Sequence, residues 1–279
     1  MVESYCPKTY DEALELLSQE ELQIVAGGTD LMVRKRNWSQ LPPKFDKNVM
    51  FVAGLEELNY IDRQGSNVHI GAGVTLEDIM DHFHTPELLI EAIELMASPA
   101  IRHTGTLIGN VVNASPAGDS LPVLYLLDCM VVLESAHGMR HVPIQEFIVG
   151  PGKTLINSDE MVKEVILHDH NFNHLIYKKI GGRQADAISK VCFAGAIQIK
   201  KHLIEDFRMS FAAVGPTVVR CPELENKVKG HTTQWLKDHK KEIIDAYSEH
   251  IVPIDDQRST ASYRKKVCIN LMKDFMHFS

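Results

Sequence analysis

The sequence predicts an α+β chain in two parts, a larger one over residues 1–170 and a smaller one over residues 171–279. Three observations carry this. Residues 129–134 and 140–143 are β-prone runs on either side of His137-Gly138, a hairpin pattern that strict βαβ winding does not contain. Residues 191–200 and 203–214 form a second, longer pair of alternating apolar runs, and two helix-patterned stretches follow at 233–250 and 259–277. Between the two patterns the composition turns polar, through Lys178, Lys179, Arg183 and Asp186.

The elements can be justified in order. Thr9, with Glu12 three residues on and apolar positions at helical spacing, predicts an amphipathic helix. Residues 22–26 read as a short strand that stops at Gly27-Gly28-Thr29-Asp30. Asp30 is expected to cap the segment that follows, and Arg34, Lys35 and Arg36 to form a solvated face. Residues 49–53 and 68–71 are strands. Gly71-Ala-Gly73 invites a dinucleotide fingerprint, but Leu76 stands where the third glycine belongs, and Thr75 with Asp78 makes a capping pair. A helix over 86–96 ends at Ser98-Pro99, another spans 121–127, and 159–167 is a strand.

Bulk properties exclude several classes. A formal charge of −8, from 29 basic and 37 acidic residues, leaves no basic stripe for nucleic acid. The most apolar region, 121–133, is interrupted by Asp128 and is too short to span a bilayer. With no charged-then-apolar leader, a cytoplasmic location is expected. Cys6, Cys129, Cys192, Cys221 and Cys268 are scattered, so neither a disulfide framework nor an iron–sulfur cluster is expected on this chain. His168, His170 and His174 are the one group that suggests a metal, and with no neighbouring Cys or Glu they read better as an exposed strand end.

Two glycine-bearing stretches point to a ligand. After a buried strand, Gly27-Gly28 lets the backbone take φ > 0 and turn its N–H groups toward an anion such as a diphosphate. Residues 104–120 hold no Lys, Arg or Glu, only small side chains, hydroxyls, amides and Asp119. This suits the lining of a large polar heterocycle, and the stretch reads as too irregular for a helix or strand.

These stretches, Val25-Ala-Gly-Gly-Thr-Asp30, Thr106-Leu-Ile-Gly-Asn110 and Ala114-Ser-Pro-Ala-Gly-Asp119, together with Ala213-Val-Gly-Pro-Thr217 and the segment from Asp256 to Arg264, resemble the FAD-binding subunit of the molybdenum hydroxylases, the family of xanthine dehydrogenase and the carbon monoxide dehydrogenase medium chain. The family usually has a glycine where this chain has Ile108. The resemblance implies a two-part FAD-binding domain of the vanillyl-alcohol-oxidase (PCMH) type, followed by a smaller α+β domain. It implies that Ile24, Val25, Ala26, Gly27, Gly28, Thr29, Asp30 and Leu31 wrap the FAD diphosphate. Gly105, Thr106, Gly109, Asn110, Val112 and Asn113 would follow the rest of the cofactor, with Asp119 as a hydrogen-bonding carboxylate, Met161 or Val162 as an apolar contact and Lys178 as a cation near the flavin. It also implies an electron-transfer subunit with no catalytic acid, base or nucleophile of its own. The molybdenum cofactor and [2Fe-2S] clusters are then expected on partner subunits, in a heterotrimer or its dimer, with NAD or another acceptor taking the electrons. The alternatives are a stand-alone FAD-dependent oxidoreductase of the same fold, or an assembly or scaffold protein without cofactor, for which Ile108 is the only hint.

Overall fold

The computed structural model describes residues 2–184 and 186–277. Strands β1 (Ser4–Tyr5), β2 (Gln23–Val25) and β3 (Val49–Phe51) form a small parallel sheet in the order β1-β3-β2. Strands β4 (Ile61–Gln64), β5 (Asn67–Gly71), β6 (Met130–Ser135) and β7 (Gly138–Pro143) belong to a second, antiparallel sheet. After the short hairpin β8 (Ile148–Gly150) and β9 (Lys153–Thr154), β10 (Met161–His168) returns to its centre, giving the order β4-β5-β10-β6-β7. The third sheet is a meander of β11 (His174–Ile180), β12 (Val191–Lys200), β13 (Leu203–Ala212) and β14 (Val219–Arg220).

Helix α1 (Tyr10–Gln19) starts as its sequence predicts. The Thr9 hydroxyl accepts from the Glu12 N–H, and Tyr10, Ala13, Leu14 and Leu17 turn one apolar face inward. The single turn α2 (Leu31–Arg34) follows β2, and α3 (Leu76–Asp81) opens at the Thr75–Asp78 pair. Then come α4 (Glu87–Glu94), α5 (Pro99–Arg102), α6 (Leu107–Asn113), α7 (Leu121–Leu126) and α8 (Ile144–Phe147). The third sheet is covered by α9 (Pro222–Val228), α10 (Thr233–His250) and α11 (Ala261–Phe275).

Helix α6 corrects the expectation that residues 104–120 are wholly irregular. The Thr106 hydroxyl accepts from the Gly109 N–H at 3.0 Å, and Leu107, Ile108 and Val111 fill a buried face, so capping and burial outweigh the poor helix formers Gly109 and Asn110. The helix stops at Ala114, which adopts the left-handed region at φ 45°.

Alternation along β12 joins the two parts of the chain. Cys192, Ala194 and Ala196 point into the core shared with α7, while Val191, Phe193 and Ile197 point into a second core beneath α10 and α11. At Gly195 the Phe275 ring lies where a side chain would begin, with a ring carbon 2.7 Å from that position, so the glycine lets α11 lie flat on the sheet. Arg208 donates to Leu126 O and Arg220 to Tyr125 O, and both grip Asp128. Two arginines of the third sheet thus bind carbonyls at the end of α7, Leu126 O and Tyr125 O, the latter also accepting from Asp128 N–H.

Candidate functional site

The two glycine-bearing bends meet. A side-chain carbon on Gly27 would lie 1.9 Å from Thr104 O and 3.0 Å from the Cα of Gly105, so the backbones touch directly. Leu76 N–H donates to Gly105 O at 2.8 Å and fixes the second bend beside α3. Gly28 is at φ 67°, and among the described residues no protein acceptor pairs with the peptide N–H groups of Gly27, Gly28, Thr29 and Asp30. Those four donors suit an anionic group.

Around this contact lies a cavity of ≈370 Å³, bordered by residues 24–31, Gly105, Thr106, Gly109, Asn110, Val112, Asn113, Met161 and Val162. Asp30, Met96, Ala97, Ile101, Asn110 and Asn113 also border a larger cavity of ≈1070 Å³, making the two one cleft. The larger cavity draws on both parts of the chain, with Ser115 and Asp119 on one side and Lys179, Ser189, Ala213, Asp256, Arg258 and Arg264 on the other.

Asp119 links the sides. Its carboxylate accepts from Lys179 Nζ at 2.8 Å, Ser189 Oγ at 2.5 Å and Cys192 Sγ at 3.0 Å, and its carbonyl accepts from Tyr177 OH at 2.8 Å. Lys179 is 7% exposed and also donates to Leu95 O, so this ion pair is largely withdrawn from solvent. Burial, reinforced by the Asp119 charge, drives the Cys192 thiol well above its ordinary value and keeps it protonated.

The last two sequence signatures form one joint. Asp256 accepts from the N–H groups of Arg258 and Ser259 and from Arg264 Nη2. The same guanidinium donates to Ala213 O, while Ala213 N–H donates to Pro116 O at 2.7 Å. All five sequence signatures therefore converge on the cleft.

Comparison with known proteins decides the family. Residues 1–167 match the model of the FAD binding domain in molybdopterin dehydrogenase, and residues 176–278 match the CO dehydrogenase flavoprotein C-terminal domain. The chain belongs to the molybdopterin dehydrogenase FAD-binding family. It is 30% identical over 267 residues to the glyceraldehyde dehydrogenase medium chain of Sulfolobus acidocaldarius, covering 93% of this chain and 92% of the relative. It is 24% identical over 273 residues to the xanthine dehydrogenase FAD-binding subunit of Escherichia coli O157:H7, covering 95% and 90%. The fold matches that in carbon monoxide dehydrogenase from Hydrogenophaga pseudoflava with a TM-score of 0.87 at 24% identity, over 98% of this chain and 95% of that one.

Within this FAD-binding family cleft, sixteen of the eighteen residues expected from sequence border the smaller cavity, and Asp119 borders the larger. Lys178 borders neither. It lies on the exposed face of β11, with Glu91 nearby, and alternation turns Lys179 into the cleft instead. Two adjacent lysines give sequence no means of choosing between them. Lys179 is paired with Asp119. Asp30 does not cap α2; its carboxylate accepts from Arg34 Nε at 2.8 Å, an exposed pair. Arg34 accordingly borders the smaller cavity, and Lys35 pairs with Asp46.

Ile108 has ordinary helical backbone and touches both cavity and core, so the missing glycine imposes no strain there. Sequence reasoning missed Lys179, Ser189 and Arg258 as cleft residues. For Lys179 and Ser189 the polar run before β12 is the available signal, but only the folded sheet shows which of its side chains turn inward; Arg258 lies in the Asp256–Arg264 signature. Among the described residues no group of His, Cys, Asp or Glu is placed to hold a metal. His168 Nδ1 pairs with Asn67 Oδ1, His170 Nε2 with Arg208 Nη1, and the His174 ring stacks on Phe275.

Proposed function

We propose that this chain holds one FAD in the cleft and serves as the flavin relay of a molybdenum hydroxylase complex. The observation that carries the reading is the Gly27–Thr104 backbone contact, which turns two distant bends into one wall with four free N–H donors. Residues 24–31 would hold the diphosphate through the backbone, with Thr29 adding its hydroxyl. Gly105, Thr106, Gly109, Asn110, Val112 and Asn113 would line the rest of the cofactor, with Met161 and Val162 as apolar contacts. Asp119 still has a free lone pair on the carboxylate oxygen that pairs with Lys179, and would accept from the cofactor in the larger cavity.

Bound there, FAD supplies the redox chemistry, receiving electrons that originate at a molybdenum centre and pass through [2Fe-2S] clusters of partner subunits, and yielding them to NAD or another acceptor. The chain's own residues position the cofactor, exclude water and set the local charge. Four of its five cysteines are buried singly, which supports placing the iron–sulfur clusters on a partner. A heterotrimer, or its dimer, is the assembly this reading proposes.

The test is the visible spectrum of the purified chain. Flavin bands at about one FAD per chain, bleached by NADH if NAD is the acceptor, are expected. A colourless protein that refuses added FAD would overturn the cofactor reading; flavin that resists NADH but is reduced within the complex would point to another acceptor.

A further inference from the structure

We propose that the surface loop after α2 is the seat of a partner chain, which covers Trp38 with an apolar patch rimmed by carboxylates. The inference rests on the reading of the chain as one subunit of a complex and adds where that partner docks.

Helix α2 buries none of its residues, and large apolar side chains on it and just after it face outward: Val33 is 66% exposed, Trp38 81% and Leu41 56%. An indole in water is unusual on a surface with nothing to meet, because Trp is the side chain most enriched where partners bind. The loop presenting it is closed by its own hydrogen bonds. Lys44 N–H donates to Lys35 O at 2.7 Å, Asn37 Nδ2 to Pro42 O at 2.9 Å and Leu41 N–H to Trp38 O at 3.1 Å, tying residues 35–44 into an Ω-shaped loop. A preformed loop loses little conformational entropy on binding.

Charge selects the occupant. Of the cations around the loop, Arg34 pairs with Asp30, Lys35 with Asp46 and Lys47 with Glu21, which leaves Arg36 and Lys44 as the local excess in a chain whose overall charge is −8. Among the described residues neither Arg36 nor Lys44 is in a salt bridge, so both are available to a partner. A second copy meeting face to face would set these like charges against one another. A different chain with carboxylates around an apolar centre is complementary. Leu31 and Arg34 of α2 also border the smaller cavity, so a chain seated here lies against the mouth of the cleft.

Hydroxyl-radical footprinting of the complex purified from its source, set against the isolated chain, tests this. Trp38 is expected to be oxidised at least about fivefold more slowly in the complex. A variant carrying Arg36→Glu and Trp38→Ala should lose the partner at least about tenfold faster in dilution while keeping its flavin. Equal Trp38 reactivity in both preparations would overturn the proposal. So would a dimer of the isolated chain that the variant converts to monomer, or binding of the isolated chain to phosphatidylcholine–phosphatidylserine vesicles that the variant abolishes. Flavin content is read from the same samples, so a flavin-free wild-type chain counts against the cofactor reading alone and Trp38 protection still decides the docking.

Discussion

Gly27 packs against the carbonyl of Thr104 so closely that no other residue fits: a methyl group at position 27 would sit 1.9 Å from that oxygen. The obstacle is backbone, which a rotamer change cannot move. Gly27→Ala is therefore expected to destabilise the chain by about 3 kcal/mol or more, at or above the upper end for an overpacked site, and to lower FAD affinity at least tenfold. Gly28→Ala is the milder control. Its φ of 67° costs about 1–2 kcal/mol, while its nearest neighbour is the flexible Met32 side chain at 3.1 Å. Thermal melts and flavin-to-protein ratios of the two variants decide the order.

The Asp119–Lys179 pair yields a second prediction. Asp119→Leu leaves a lysine that is 7% exposed without its counter-charge and should cost about 3–5 kcal/mol. Adding Lys179→Met to that variant is expected to recover part of the loss, since the stranded charge is then gone. Lys178→Met, on the exposed face of the same strand, should stay within about 0.5 kcal/mol and leave the flavin potential where it was. Urea midpoints of the wild type and the three variants, with potentiometry on the wild type and Lys178→Met, are the measurements.

These two cases also mark how far the sequence could be read. Turns and local caps were legible because their causes are local: Gly27-Gly28 after a strand, Thr9 before α1 and Thr75 before α3 all behave as their neighbours dictate. The hairpins of β6–β7 and β12–β13 follow from alternation alone. Position across a strand was not legible at Lys178-Lys179, where a shift of one residue reverses the face and nothing local fixes the phase. Residues 107–113 misled for a related reason, since Gly109 and Asn110 are poor helix formers and the burial that overrides them belongs to the tertiary structure. Asp30 looked like a cap from its place just before α2, but its carboxylate pairs with Arg34 instead, while Arg34 stays exposed as expected.

Gly195 offers a test confined to the second core. Phe275 is held against it by Phe193, Phe207 and His174, so the ring has nowhere to retreat. Gly195→Ala should destabilise by about 1–3 kcal/mol through overpacking. Because Gly195 does not border the cleft, the FAD content of whatever remains folded should match the wild type. Loss of flavin without loss of stability would show that α11 and the cleft are coupled in a way this packing does not explain.

His170 sets a pH dependence whose sign follows from its surroundings. Burial chiefly, and then the positive charges of Arg208 and His168, hold the ring's pKa down at about 4 from an ordinary 6.5, while Asp128 and Asp206 pull weakly the other way. The neutral ring places Nε2 3.2 Å from the Arg208 guanidinium, which donates to it, and a proton there would turn that bond into a repulsion. Between roughly pH 6.5 and pH 4 the unfolded chain binds the proton and the folded chain does not, so stability is full above the upper value and falls as the pH drops toward the lower one. A shift of this size would correspond to about 3 kcal/mol in a dry site; the ring is only half-buried, so about 1–2 kcal/mol is expected. Denaturant titrations of the wild type and His170→Gln at about pH 7, 5.5 and 4.5 isolate the effect from the carboxylates that titrate in both proteins. The wild type should lose about 1–2 kcal/mol more than the variant across that range. Parallel curves would mean that His170 is free to take its proton in the folded chain and that Arg208 does not oppose it.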